Sequence, residues 1–425
     1  MITTPTAIIT FLLTITVFVV PRRFFLLPYI VATCFVPDDQ RVIILTLNFT
    51  VFRMLVLAGL CRILLRGEQV VIKWSRFDKL VLAWAVCGAV IYVVQWADAR
   101  AIVFKCGVLL DILGSYWLFR QSIRSYTDIK YVFQILAMCA LIMMPFVVSE
   151  RVTGSNPFSN LGTVHTVIRE EGAYRCQGPF PHSIMLGLFW ATLVPVFVSF
   201  AKGKQSKHLF WGAAAAASIM TYLTASSTPL LTLIAVILFL LLFPYRRHGR
   251  QVAWAACGLT VVLHMVMQAP VWHLISRVNI IGGSTGWHRF NLIDQTIKHF
   301  GEWMLLGTRN TEHWGTGLLD ITNQYCFEAV QGGLVTLVIF VFLLVMAIRV
   351  TGGWSLTKMP AEHQWFAWGL CVCLLGHCIS FFGASYFGQI KVLLYLTFSL
   401  VGLVAEKLQS SLLVTQERSR LIVAV

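Results

Sequence analysis

Apolar runs of membrane-spanning length alternate with short polar connections along the whole chain. A helix needs roughly 17 to 25 such residues to cross the hydrocarbon core of a bilayer. On that measure candidate spans cover residues 6–20, 24–37, 42–65, 78–97, 101–120, 130–149, 182–201, 208–225, 228–244, 251–270, 325–349, 364–385 and 388–405. The pattern predicts an all-α polytopic membrane protein with about 12 or 13 transmembrane helices, the first two short. Two connections, residues 150–181 and 271–324, are far longer than the rest. In the second, FNLIDQTIKHFGEWML has Phe290, Ile293, Ile297 and Phe300 at helical spacing, so an amphipathic helix lying along the membrane surface is expected.

Composition narrows the class. A mean hydropathy of +0.77, with 58% hydrophobic and 12% charged residues, excludes an ordinary soluble domain, and residues 1–425 read as one integral membrane domain. A formal charge of +15 would raise nucleic acid as a partner for a soluble protein. Here the basic residues cluster after alternate spans, in PRRFF, RGEQVVIKWSRFDK, RQSIRSYTDIK, AKGKQSK, PYRRHGR and EKLQSSLLVTQERSR. The positive-inside rule then puts these clusters and the C-terminus in the cytoplasm and both long connections outside, with no nucleic-acid partner. Of eleven cysteines only Cys176 and Cys326 lie near polar loops, so no structural disulfide is expected. The start, MITTPTAIITFLL, lacks a basic n-region and reads as a retained first helix.

Candidate chemistry gathers in the long connections. RCQGPFPHS sets Arg175, Gln177 and His182 at the mouth of a span, shortly after Arg169, Glu170 and Glu171. The planar fork of Arg175 suits a phosphate, or else the side chain snorkels while His182 caps the next helix. The second connection carries Arg277, His288, Arg289, His299, Arg309, Glu312, His313 and Asp320. Arg289 falls just after GGSTG, at the start of the amphipathic helix, where free backbone N–H groups favour an anion; a lipid headgroup contact is the plainer alternative. TASSTPLL, with Ser226, Ser227 and Thr228, is either a simple turn or a hydroxyl-rich floor to the same cleft.

Arg53, Lys105, Asp111, His264 and His377 are ionisable groups inside spans and therefore candidates to face a cavity. Arg53 and Lys105 either extend a basic cleft or pair with Asp111. Cys371, Cys373, His377 and Cys378 share a helical face only in part, so no metal is expected. There is no Walker loop, dinucleotide fingerprint, EF-hand or HExxH motif.

In order along the chain, RCQGPFPHSIMLGLF, TASSTPLLTLI, GWHRFNLIDQTIKHFGEWMLLGTRN and ITNQYCFEAVQGGLVT resemble the O-antigen ligase and polymerase superfamily of bacterial membrane glycosyltransferases. The likeness covers residues 170–345 in detail. Its ligases carry a motif of histidine, then Asn, Ser or Gln, nine residues, glycine, two residues and Gly, Thr or Tyr; here Thr322, Asn323, Gly333 and Thr336 fill that frame. Threonine thus replaces the histidine, and a neutral hydroxyl cannot act as general base. The resemblance implies an inner-membrane transferase that takes glycan from a polyprenyl diphosphate, needs no metal or other cofactor, and works on the periplasmic side. Partners implied are a glycan acceptor, membrane lipids, a chain-length regulator and a flippase. Arg175, Arg289 and Arg309 would hold the diphosphate, with Gln177, His182, His288, Thr322 and Asn323 lining the cleft. His313, Glu312 and Asp320 are the candidate bases, His313 first because its pKa suits neutral pH. Polymerisation is the leading expectation, with ligation onto a lipid A core, or transport of the lipid-linked glycan, as the alternatives.

Overall fold

The computed structural model describes residues 2–44, 47–162, 167–168, 172, 174–203, 205–277 and 286–423, without side chains for 44, 167–168 and 409–423. The chain opens with α1 (Thr4–Val19), α2 (Leu27–Phe35), a hairpin of β1 (Arg41–Ile44) and β2 (Leu47–Thr50), and α3 (Val51–Leu65). Then come α4 (Arg76–Trp96), α5 (Ala99–Leu109), α6 (Ser115–Ser122) and α7 (Tyr126–Thr153). A second short pair, β3 (Val167–Ile168) and β4 (Tyr174–Arg175), precedes α8 (Ser183–Ala201), α9 (Lys207–Leu223), α10 (Ser227–Leu241) and α11 (Gly249–Val266). Two small helices, α12 (Gly286–Lys298) and α13 (Phe300–Trp303), lead to α14 (Gln324–Trp354), α15 (Ala361–Ser380) and α16 (Gln389–Val423).

The protein is helical and multi-pass in character, as expected, but the span count is lower. Among the described residues six helices are long and apolar enough to cross a membrane, or up to seven if α10 and α11, bent by 83°, make one span. The other expected spans fall short for identifiable reasons. α2 has nine residues, about 13 Å of helix against a core of about 30 Å. The expected span 42–65 divides because residues 41–50 pair as an antiparallel hairpin and Thr50 starts α3, its side chain accepting from the Arg53 N–H.

The centre is α8, buried at every position except Ile184 and Val198 and packed by α7, α9, α10, α15 and α16. Such a helix is apolar all round rather than striped. Glycines let its neighbours approach: a Cβ on Gly187 would meet Pro229 at 2.6 Å, and one on Gly369 of α15 would meet the Pro195 carbonyl oxygen at 2.7 Å. The second glycine-dependent feature is in α14, where Gly333 at φ 65° breaks the helix. The orphaned Leu334 N–H is satisfied from outside the helix, by the Met304 carbonyl at 2.9 Å.

The bundle has two distinct ends. At one, the basic clusters interlock. Arg120 pairs with Asp78 at 3.1 Å and Glu406 at 2.8 Å, Arg62 pairs with Glu68 at 3.0 Å, and Lys130 donates to Gln205 at 3.0 Å. At the other lie the long connections, tied to the bundle: Asn156 donates to the Gly178 carbonyl, Gln324 N–H to Phe381, and the Gln389 side chain to Pro179. Alternating helix direction and the clustering of charge after alternate spans produce this segregation together. Of the second connection, α12 forms where the apolar spacing places it, and Leu292, Trp303, Trp314, Leu318, Cys326, Ala329 and Val330 give it a small core against the start of α14.

Candidate functional site

Two arginines from different connections lie within electrostatic reach of each other. Arg175 ends β4; Arg289 sits in the first turn of α12, with its side chain buried. The preceding glycine-rich stretch, residues 282–285, and the neighbours Arg169, Glu170 and Glu171 lie outside the described residues. Arg289 makes no hydrogen bond or ion pair among the described residues, and its Nε is shut away from solvent. Burial, and then repulsion from Arg175, lowers its pKa from the ordinary arginine value, although an arginine stays charged at neutral pH. A buried guanidinium with no partner of its own among the described residues, beside a second positive charge, is an environment that favours an anion.

The first arginine is held from both sides. Glu150, wholly buried at the end of α7, accepts from the N–H groups of Gln177 at 3.0 Å and Gly178 at 2.9 Å, fixing the segment after Arg175. Arg175 Nη2 donates to the Ser226 hydroxyl at 2.9 Å, which itself donates to the Thr224 carbonyl at 2.9 Å. The TASSTPLL break is therefore a turn that meets Arg175 through Ser226. It is also strained: Ala225 takes φ 45°, in the left-handed region that a Cβ disfavours.

His182 is the N-cap of α8, its Nδ1 accepting from Ile184 N–H at 3.1 Å. A cap accepting at Nδ1 leaves the ring proton on Nε2, so in its neutral form His182 is a hydrogen-bond donor at that atom. Burial first and Arg175 second lower its pKa, against an opposing pull from Asp320, which favours that neutral form. Arg175 thus acts on both Arg289 and His182, and the exposed Asp320 acts on His182. Of the two roles the sequence offers for His182, the structure shows the cap.

The other expected site residues divide. Arg309 does not join the arginine pair: its Nε donates to the Gln95 carbonyl at 2.8 Å and its guanidinium lies 5.6 Å from the Trp96 ring, so it closes the end of α4. Asn323 is the N-cap of α14, accepting from Cys326 N–H at 3.1 Å, and it donates to Phe382 at 3.2 Å. Thr322 has a buried hydroxyl that makes no hydrogen bond among the described residues. His288 is half-buried against Gly317, Gln177 is buried, and Glu312 is exposed on a short 3-10 turn.

His313 is more than half exposed, and its Nε2 meets Glu302 at 2.8 Å, while His299 stacks on Trp314 with ring centres 5.0 Å apart. The sequence reading missed Glu302, which also accepts from Trp314 Nε1 at 2.9 Å; its offset of eleven from His313 matches no local motif. Donation by Trp314 and then by His313 lowers the Glu302 pKa. Glu302 can thus orient the imidazole of His313 in the manner of a carboxylate behind a base.

Within the spans, Arg53 pairs with Asp111 through two contacts of 2.8 and 2.7 Å, so the structural alternative holds for Arg53. Lys105 instead donates to Gln331 at 3.2 Å. His264 lies on the exposed α11 rather than in a cavity, and His377 is buried with Nδ1 at 2.7 Å from the Tyr386 hydroxyl. No group of three or more His, Cys, Asp or Glu residues able to hold a metal occurs among the described residues. The chain matches no protein-family model and no curated protein sequence.

Proposed function

We propose that this chain is a bacterial inner-membrane glycosyltransferase that polymerises O-antigen or exopolysaccharide repeat units carried on polyprenyl diphosphate. The single observation carrying the reading is the nearness of Arg175 to Arg289, which is buried, has no hydrogen-bond or ion-pair partner among the described residues, and is repelled by its neighbour. A diphosphate is the anion such a pair suits, because two planar forks can bind its adjacent phosphates and take up the charge it gains on leaving. The interlocked basic clusters favour a cytoplasmic placement for their end of the bundle, which turns the arginine pair toward the periplasm.

In the proposed reaction a hydroxyl of one lipid-linked repeat attacks the anomeric carbon of the donor sugar. The bond from that carbon to the phosphate oxygen breaks, and the diphosphate leaves with the electron pair. His182 Nε2–H donates to the leaving group or sugar, and the hydroxyl proton passes to His313, with Glu302 behind it, or to Asp320. Thr322 stands where the ligases of the resembled superfamily carry histidine, which favours polymerisation over ligation.

The test is release of free polyprenyl diphosphate when the purified full-length protein receives a lipid-linked repeat unit. Release with lengthening glycan, reduced at least a hundredfold in Arg175→Ala and in Arg289→Ala, is the expected result. Unchanged release in both variants would remove the arginine assignment. Capping of a lipid A core without lengthening would mean ligation, and translocation without sugar joining would mean transport.

A further inference from the structure

A partly open cavity of about 120 Å³ lies among α4, α5, α14 and α16, and none of the residues placed above in the arginine cleft lines it. At about 30 Å³ of liquid volume per water, it has room for roughly four waters. Trp84, Lys105, Gln324, Glu328, Tyr386 and Lys391 are among its lining residues, an unusual load of polarity for helices of this apolarity.

Its charges are unbalanced. Glu328 is already committed, accepting from Trp84 Nε1 at 3.0 Å and from the Gln324 side chain at 2.8 Å. Lys105 is held by Gln331 and by the face of Tyr92, its Nζ 4.1 Å from the ring centre. Lys391 makes no side-chain hydrogen bond or ion pair among the described residues. The two ammonium groups repel each other, and Glu328 and Asp38 act on them only from beyond ion-pair distance. Two cations inside a bundle, with Glu328 committed to Trp84 and Gln324 and Asp38 beyond ion-pair distance, are costly unless something negative joins them directly.

We infer that this cavity is a second anion site, taking the phosphate or diphosphate group of a phosphorylated ligand between Lys105 and Lys391. Its position is consistent with an amphiphile. Phe104 lines it and belongs to the exposed apolar run Ile102, Val103 and Phe104 of α5, which offers a path for a tail. Its rim adjoins the arginine cleft: the Gln324 side chain accepts from Tyr386 N–H at 2.7 Å, and Gln389, two residues before Lys391, donates to Pro179 at 2.9 Å. If the transfer reaction proposed above holds, on which this last step rests, the occupant is the carrier diphosphate of the acceptor, held while the donor occupies the arginines.

Farnesyl diphosphate serves as the probe, counted by native mass spectrometry on the full-length protein in detergent. The wild type is expected to bind two molecules, Arg289→Gln one, the double variant Lys105→Gln, Lys391→Gln one, and the triple variant none. Affinity at the second site should fall roughly ten- to a hundredfold in the lysine variant and survive in Lys391→Arg. Two molecules bound by the folded lysine variant would overturn the inference. Should that variant not fold, Gln331→Glu places a carboxylate beside Lys105 and is expected to abolish the second binding event; its persistence would equally overturn the site. Inorganic pyrophosphate separates the sources: equal affinity points to a soluble anion, and weaker binding than farnesyl diphosphate points to a lipid. Loss of one molecule in the lysine variant with none lost in Arg289→Gln would leave this site standing and remove the arginine reading.

Discussion

The repulsion between Arg175 and Arg289 makes a prediction about stability as well as binding. An anion between two guanidinium groups turns a destabilising contact into a favourable one, so inorganic pyrophosphate should raise the melting temperature of the wild type. The shift should vanish in Arg289→Gln, whose own melting temperature without ligand should be no lower than that of the wild type. A thermal scan of both proteins decides it. His182 allows a finer cut. Asn at this position can still cap α8 but has no N–H at the place of Nε2, so His182→Asn should keep its fold while losing roughly tenfold in pyrophosphate affinity. The imidazole also titrates. Its folded pKa lies below the unfolded value of about 6.5, so the unfolded chain binds more protons between those values. The associated stability is fully present above about pH 6.5 and drains away on acidification; His182→Asn should flatten that slope in pH-dependent melting.

Among the elements, those with regular apolar spacing were legible in the sequence and those set by tertiary contacts were not. α12 forms where Phe290, Ile293 and Ile297 predict it, and α8 begins at the residue after His182. The hairpin at residues 41–50 falls inside an expected span because Val42, Ile43, Ile44, Leu47 and Phe49 are apolar enough for either structure. Periodicity does not separate a short apolar strand from a buried helix. Arg175 and Arg289 are visible as candidates, but their nearness is a tertiary fact that joins residues over a hundred positions apart. Lys391 and Glu328 were overlooked although each is an ionisable residue within an expected span, the signal that picked out Lys105. Gly333 was legible only as a motif letter; its role is geometric. A Cβ there would sit 2.6 Å from the Leu305 carbonyl oxygen at a positive φ, so Gly333→Ala should destabilise the protein by about 2 to 3 kcal/mol, measurable by denaturant or thermal unfolding.

At the scale of the molecule, the polar end with the interlocked clusters holds the bundle in register. Asp78 accepts from Ser75, Tyr116 and Arg120, and Arg120 reaches on to Glu406, so α4, α6 and α16 share one buried network. Asp78→Asn leaves Arg120 buried with one partner fewer and should cost about 3 kcal/mol of stability without changing the pyrophosphate affinity of the distant cleft. Melting and binding measured on the same preparation test both halves. The sequence anticipated the two ends through its charge pattern, and the span count failed because hydropathy records apolar length but not where a helix stops. The site, in turn, inherits its shape from the most enclosed helix. Gly187 lies one turn into α8 from His182 and touches Pro229 and Thr224, the turn whose Ser226 receives Arg175. A single methyl group added at Gly187 would press on both ends of the turn that holds Arg175. Core lesions in this protein should therefore masquerade as active-site lesions.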